Sequence, residues 1–152
     1  MSVLFRNSQK VVNVLTSSVT ALAEYVLEKQ GASEKEVSVV FVDDAEISDL
    51  NARHLGRNGP TDVLAFPMSE GEDVKFHPEI LGDVVVSAER ALDYAKEHGL
   101  KVNNELSLYL IHGLLHLLGY DDVNPSDETK MRGREEELLR TAGERGLLIK
   151  KR

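Results

Sequence analysis

Between Leu106 and Tyr120, fifteen consecutive residues carry no charged side chain, and no other stretch does as much to limit what the chain can fold into. The run is short of the roughly 20 apolar residues that a membrane-crossing helix needs, and it contains two histidines. It therefore reads as a helix of a folded domain, from about Asn103 to Leu118 and closed by Gly119. At 152 residues the chain fits one domain, 1–152, which can bury a sizeable core without staples. Hydrophobic residues at 41% and charged residues at 29% exclude intrinsic disorder. The absence of cysteine excludes a disulfide scaffold, a thiolate zinc finger and a cysteine nucleophile, and it fits a reducing, cytoplasmic setting.

The N-terminus imitates a signal peptide, with Arg6 and Lys10 ahead of Val11 to Ala23. Asn13, Thr16, Ser17, Ser18 and Thr20 make that segment too polar for the role, and an amphipathic helix is expected instead. The net charge of −8 speaks against a protein coated in nucleic acid. From Leu138 onward the balance reverses, with Arg140, Arg145, Lys150, Lys151 and Arg152 against Glu144 alone. That tail is either a solvated charged face or a small patch that attracts anions.

No repeat or linker divides the chain. A first helix is expected from about Gln9 to Lys29, with Val12, Leu15, Val19, Leu22 and Val26 at helical spacing. Val37 to Val42 is a β-branched run and reads as a buried strand. Asp43 with Glu46 forms a capping-box pattern for a helix that carries Ile47, Leu50 and Asn51 and fails near Gly56. Asn58-Gly59-Pro60 is loop chemistry, and Thr61 to Phe66 reads as a short strand ended by Pro67. An acidic exposed loop is expected over Met68 to Pro78, with Glu70, Glu72 and Asp73 on a face away from any anionic substrate. Ile80 to Val86 is a second strong strand, and Ser87 caps a helix to about Glu97. A last helix runs from Ser126 to about Ala142. The mixed order indicates an α+β fold, a small mixed β-sheet covered by helices.

The chemistry concentrates in His112-Gly113-Leu114-Leu115-His116, followed by Gly119-Tyr120-Asp121-Asp122. Histidines four apart on a helix project from one face and can share a metal ion at about 2.0–2.1 Å. Gly119 can fold the chain back and bring Asp122, or else Asp121, to a third coordination position. Three protein ligands leave a place for water, as in catalytic zinc. A metzincin-type peptidase has a similar His-x3-His-x2-Gly spacing, but its general-base glutamate follows the first histidine, where this chain has Gly113.

The chain also resembles the YbeY family of metal-dependent endoribonucleases. The family signature His-Gly-x-Leu-His-Leu-x-Gly-Tyr-Asp-His is matched by His112, Gly113, Leu115, His116, Leu117, Gly119, Tyr120 and Asp121. Leu50-Asn51, Pro60-Thr61-Asp62-Val63-Leu64 and Phe66-Pro67 resemble its Leu-Asn…Pro-Thr-Asp-Val-Leu-Ser-Phe-Pro segment, with Ala65 in place of the serine. Leu81-Gly82-Asp83-Val84 and the pair Met131 and Glu135 follow in order, so the resemblance spans Val37 to Leu139. It implies a metal-dependent hydrolase fold with the metal, usually zinc, at the mouth of a cleft. It also implies cleavage of single-stranded RNA in ribosomal RNA maturation and quality control. The expected partners are ribosomal RNA, the small ribosomal subunit and ribosome-associated proteins, in the cytoplasm and without a membrane.

By this resemblance His112 and His116 are metal ligands, and Asp122 stands where the family has its third histidine. A carboxylate ligand makes a Zn²⁺ site a weaker Lewis acid and favours harder, oxygen-loving ions. Leu55 stands where the family has an arginine. Arg57, two residues on, is the expected replacement for holding phosphate, with Arg53 about 200° away round the helix; the basic tail is a further source of positive charge. Asp121 is expected to orient a ligand or the water. The competing readings are a ribosome-associated binding factor with weakened cleavage and the peptidase.

Overall fold

A computed structural model describes residues 3–68 and 79–152. The expected acidic loop, with Glu70, Glu72 and Asp73, lies outside the described residues apart from Met68. Among the described residues, four strands and five helices follow the order β1 (Val3–Asn7), α1 (Thr16–Lys29), β2 (Glu36–Val42), α2 (Asp44–Leu55), β3 (Val63–Pro67), β4 (Ile80–Ser87), α3 (Ala88–His98), α4 (Val102–Leu117) and α5 (Pro125–Glu144). The strands form one sheet in the order β1-β2-β4-β3. β1, β2 and β4 run parallel, and β3 returns antiparallel along the outer edge of β4. The fold is thus α+β with a mixed sheet.

The β-branched runs take the centre of the sheet because both of their faces are covered. Val84 and Val86 of β4 join Val37, Val39 and Phe41 of β2 in the main core, beneath α1 and α4. Val85 and Val42 point the other way and meet Ile47 of α2 and Leu64 of β3 in a smaller cluster. Strand alternation thus feeds two layers of helix from one sheet. The uncharged run becomes α4, the most enclosed helix, with Leu106, Leu110, Ile111, Leu114 and Leu115 fully buried.

The caps fall where the side chains allow. Asp43 accepts a hydrogen bond from the Glu46 amide at 2.9 Å, and Ser87 accepts one from Arg90 at 3.1 Å. Gly56 closes α2 in the left-handed conformation at φ 65°.

The N-terminus corrects the sequence reading. Residues 3–7 are a strand, and α1 begins only at Thr16. Val3 to Asn7 pair in parallel with Val37 to Phe41, a partner more than thirty residues away that local periodicity does not register. The buried Gln9 side chain then holds a non-helical bend. It accepts from the Val11 and Val12 amides, both at 2.8 Å, and donates to the Val12 carbonyl at 2.9 Å.

Candidate metal centre

The end of α4 and the turn that follows it bring three donor atoms together. The Nε2 atoms of His112 and His116 lie 3.1 Å apart. An Asp122 carboxylate oxygen lies 3.9 Å from the first and 3.6 Å from the second. Donors bound at about 2.1 Å to one tetrahedral ion are about 3.4 Å from one another, so this set fits a single ion without rearrangement. His112, His116 and Asp122 therefore form a group that can hold a metal ion.

The turn delivers Asp122 by backbone bonding. Gly119 takes φ 101°, and the Tyr120 amide donates to the Leu115 carbonyl at 3.0 Å. The Tyr120 hydroxyl is tied at 3.4 Å to Gln30, which Arg134 grips in turn at 2.6 Å. Asp121 sits beside the cleft, but its carboxylate accepts from the Val123 amide at 3.1 Å and so shapes the turn.

Sequence reasoning gave no role to Glu135. Its carboxylate meets His112 Nδ1 at 2.9 Å and has a side-chain exposure of only 12%. A carboxylate there keeps the proton on Nδ1 and leaves the Nε2 lone pair facing the other donors. Burial by itself pushes the His112 imidazole pKa down. The hydrogen bond and charge of Glu135, with the charges of Asp62 and Asp122, outweigh it, and the net shift is upward from 6.5. The available signal was periodicity: Met131, Glu135 and Leu138 lie on one stripe of α5, and both flanking residues are buried. A carboxylate inside an apolar stripe needs a partner.

The donors open into a cleft of about 620 Å³ between α4, the turn and edge strand β3. Leu55 and Arg57 both line it. Asn51 secures that loop by donating to the Gly59 carbonyl at 3.1 Å. Arg53 is instead paired on the outside of α2 with Asp49 at 3.0 Å.

The basic tail does not line this cleft, which corrects the expectation that it supplies charge there. Its backbone is tied elsewhere: Ile149 donates to Ser107 at 2.9 Å, Lys150 to Ser18 at 2.9 Å and Arg152 to Asn13 at 3.2 Å. Ser107 lies five residues before His112 on α4, about 140° round the helix, so the tail packs on a different side.

Gly113 is needed for packing. A Cβ there would stand 2.5 Å from Val84 Cγ1 and 3.1 Å from Val63 Cγ2. A side chain at this position would run into the sheet, which denies the chain the glutamate that a metzincin-type peptidase uses.

The chain is similar to known proteins over most of its length. The family model described as Endoribonuclease YbeY matches residues 4–143. A protein named Endoribonuclease YbeY from Pelotomaculum thermopropionicum is 46% identical over 145 residues, covering 91% of this chain and 95% of its own. One of the same name from Syntrophus aciditrophicus is 41% identical over 141 residues, covering 91% and 88%. The solution structure of a Thermotoga maritima protein superposes with a TM-score of 0.66 at 26% identity, covering 93% of this chain and 90% of that one.

Proposed function

The chain belongs to the YbeY endoribonuclease family, and on that premise we propose that it cleaves single-stranded RNA with a divalent metal, in ribosomal RNA maturation and quality control. The observation that carries the reading is the convergence of His112, His116 and Asp122 at one cleft, with Glu135 holding the first ligand. Zinc is the metal proposed, and Asp122 makes the site more hospitable to manganese or magnesium than three histidines would be. Among the described residues no helix is long and apolar enough to cross a membrane. The small ribosomal subunit and the cytoplasm are the proposed partner and setting.

When bound, the ion supplies Lewis-acid polarisation of a phosphoryl oxygen and makes water more acidic. The chain's own residues do the remaining work. Glu135 keeps His112 in one tautomer and orientation. Arg57, on the cleft wall, can donate paired hydrogen bonds to a phosphate of the bound strand. Leu55 can make no such bond, so the neighbouring wall offers apolar contact only. Edge strand β3 forms one wall of the cleft along which the RNA would lie. Asp121 contributes by holding the turn that presents Asp122.

The test is cleavage of a single-stranded RNA oligonucleotide by the metal-loaded protein, alongside elemental analysis. Wild type should cleave, and chelator should stop it. His116→Ala should lose both metal and activity. Cleavage that survives chelation, or that persists in His116→Ala, would overturn the mechanism. Tight ribosome binding with no cleavage in any divalent metal would replace it with a binding-factor role.

A further inference from the structure

A second cavity, about 430 Å³, adjoins the metal cleft, and Thr61 and Asp62 line both. Its volume is within the range of about 300–1,000 Å³ common for small-molecule sites. Asp62, Asp93, Glu97, Arg90, Tyr94 and Tyr109 line it. Tyr109, His112 and His116 are spaced three and four apart on α4 and share one face, so cavity and cleft follow one another along the helix.

Two observations make the cavity more than an acidic patch. Tyr109 is only 8% exposed, yet among the described residues its hydroxyl has no hydrogen-bond partner. The hydroxyl is not sealed off, since among the described residues Asn51 Oδ1 is the one buried side-chain polar atom left unsatisfied; the phenol therefore opens on the cavity and is free to bond what enters it. Tyr94 is 44% exposed, and its ring is backed by the His98 imidazole at a centroid distance of 4.0 Å and an angle of 21°. A supported aromatic ring at the rim of a polar cavity is a stacking surface.

We propose that this cavity is a nucleobase pocket beside the scissile phosphate and that it selects guanine, an inference that rests on the RNA-cleaving reading. Asp62 and Glu97 are acceptors only, so the base they take must offer donors. Guanine presents a ring N–H and an amino group side by side, which one carboxylate can bind in bidentate fashion, and its adjacent carbonyl oxygen can accept from the Tyr109 hydroxyl. Adenine and cytosine place a ring lone pair beside their amino group, and that lone pair would face the carboxylate. Uracil has one N–H between two carbonyls. One Asp62 oxygen already accepts from the Val63 amide at 2.8 Å and from the Thr61 hydroxyl at 3.4 Å, so a base bound in bidentate fashion shares that oxygen and has the second to itself. Arg90, at the same rim, can meet a flanking phosphate.

Calorimetry on the metal-loaded full chain with the four nucleoside 5′-monophosphates tests this, because none of them contains a bond to cleave. GMP should bind about tenfold more tightly than AMP, CMP or UMP. Asp62→Asn keeps an oxygen for the Val63 amide and should bring GMP to the level of the others while leaving AMP unchanged. Tyr109→Phe should weaken GMP by a smaller factor. Equal binding of all four nucleotides would overturn the proposal, as would a guanine preference that survives Asp62→Asn. Arginine amide binding more tightly than GMP, and lost in Asp62→Asn, would also overturn it and assign the cavity to a protein partner's guanidinium. Cleavage assays separate the two readings. A GMP preference without RNA cleavage would sink the nuclease assignment alone, and cleavage without any base preference would sink the pocket alone.

Discussion

Replacing Gly113 with alanine should destabilise this protein, although the same change in an unencumbered helix would stabilise it. Alanine in place of glycine inside a helix is worth about 1 kcal/mol in favour of folding. Against that stands a new methyl 2.5 Å from Val84 Cγ1 and 3.1 Å from Val63 Cγ2. Carbon atoms in good contact sit about 3.5–4.0 Å apart, so helix and strand must separate by about 1 Å. Val84 is fully buried in the centre of the sheet and has nowhere to retreat. Overpacking of this kind costs about 1–3 kcal/mol, and with two valines opposed the upper end applies, leaving a net loss of about 2 kcal/mol. For a chain of this length that lowers Tm by about 4–8 °C.

Val84→Ala alone should also destabilise, because it opens a cavity. In the double variant the methyl introduced by Gly113→Ala occupies the vacated space, so the two losses should fall short of additive by about 2 kcal/mol. Urea unfolding of the four proteins measures all of this. A stabilised Gly113→Ala, or strictly additive losses, would refute the packing argument and reopen position 113 to a larger, catalytic side chain.

Glu135→Gln keeps the shape of the His112 partner but removes its charge, and metal affinity measured by competition with a chelating dye should fall about 10–100-fold. In the metal-free protein the raised His112 pKa favours the folded state while the imidazole is protonated. That stability should be fully present below about pH 6.5 and fade as pH climbs through the raised value; a flat urea midpoint across that window would contradict it. Metal binding should show the opposite trend, strengthening with rising pH because the proton no longer competes. Leu55→Arg adds a phosphate-binding fork to the cleft wall at an exposed position. It should raise kcat/KM on RNA while stability stays within about 0.5 kcal/mol, and unchanged kinetics would show that position 55 does not reach the substrate. Asp122→His should shift metal preference toward zinc, read by elemental analysis after growth in mixed metals.

The parts of this molecule that could be read from its sequence are those governed by local physics. The capping pairs at Asp43 and Ser87, the β-branched runs of β2 and β4, and the histidine pair on α4 each announce themselves within a few residues. β1 did not, because its stability comes from pairing with β2 across the whole of α1. The tail misled for a related reason: its charges were legible, but its position is set by backbone bonds to Ser18, Asn13 and Ser107. Glu135 fell between these cases. Its stripe on α5 was visible, but the partner that explains it lies on another helix.

The ligands and the substrate wall stand on unequal ground. His112 and His116 belong to the most enclosed helix of the molecule, whose opening amounts to unfolding the whole. Leu55 and Arg57 lie at the exposed exit from α2, where a replacement disturbs no core contact. A replacement at either position therefore leaves the core alone, whereas His112 and His116, 27% and 28% exposed on the cleft side of α4, are constrained by the ion they could hold rather than by packing. An arginine exchanged for a leucine at such a site is the kind of change that lets activity drift while the architecture persists.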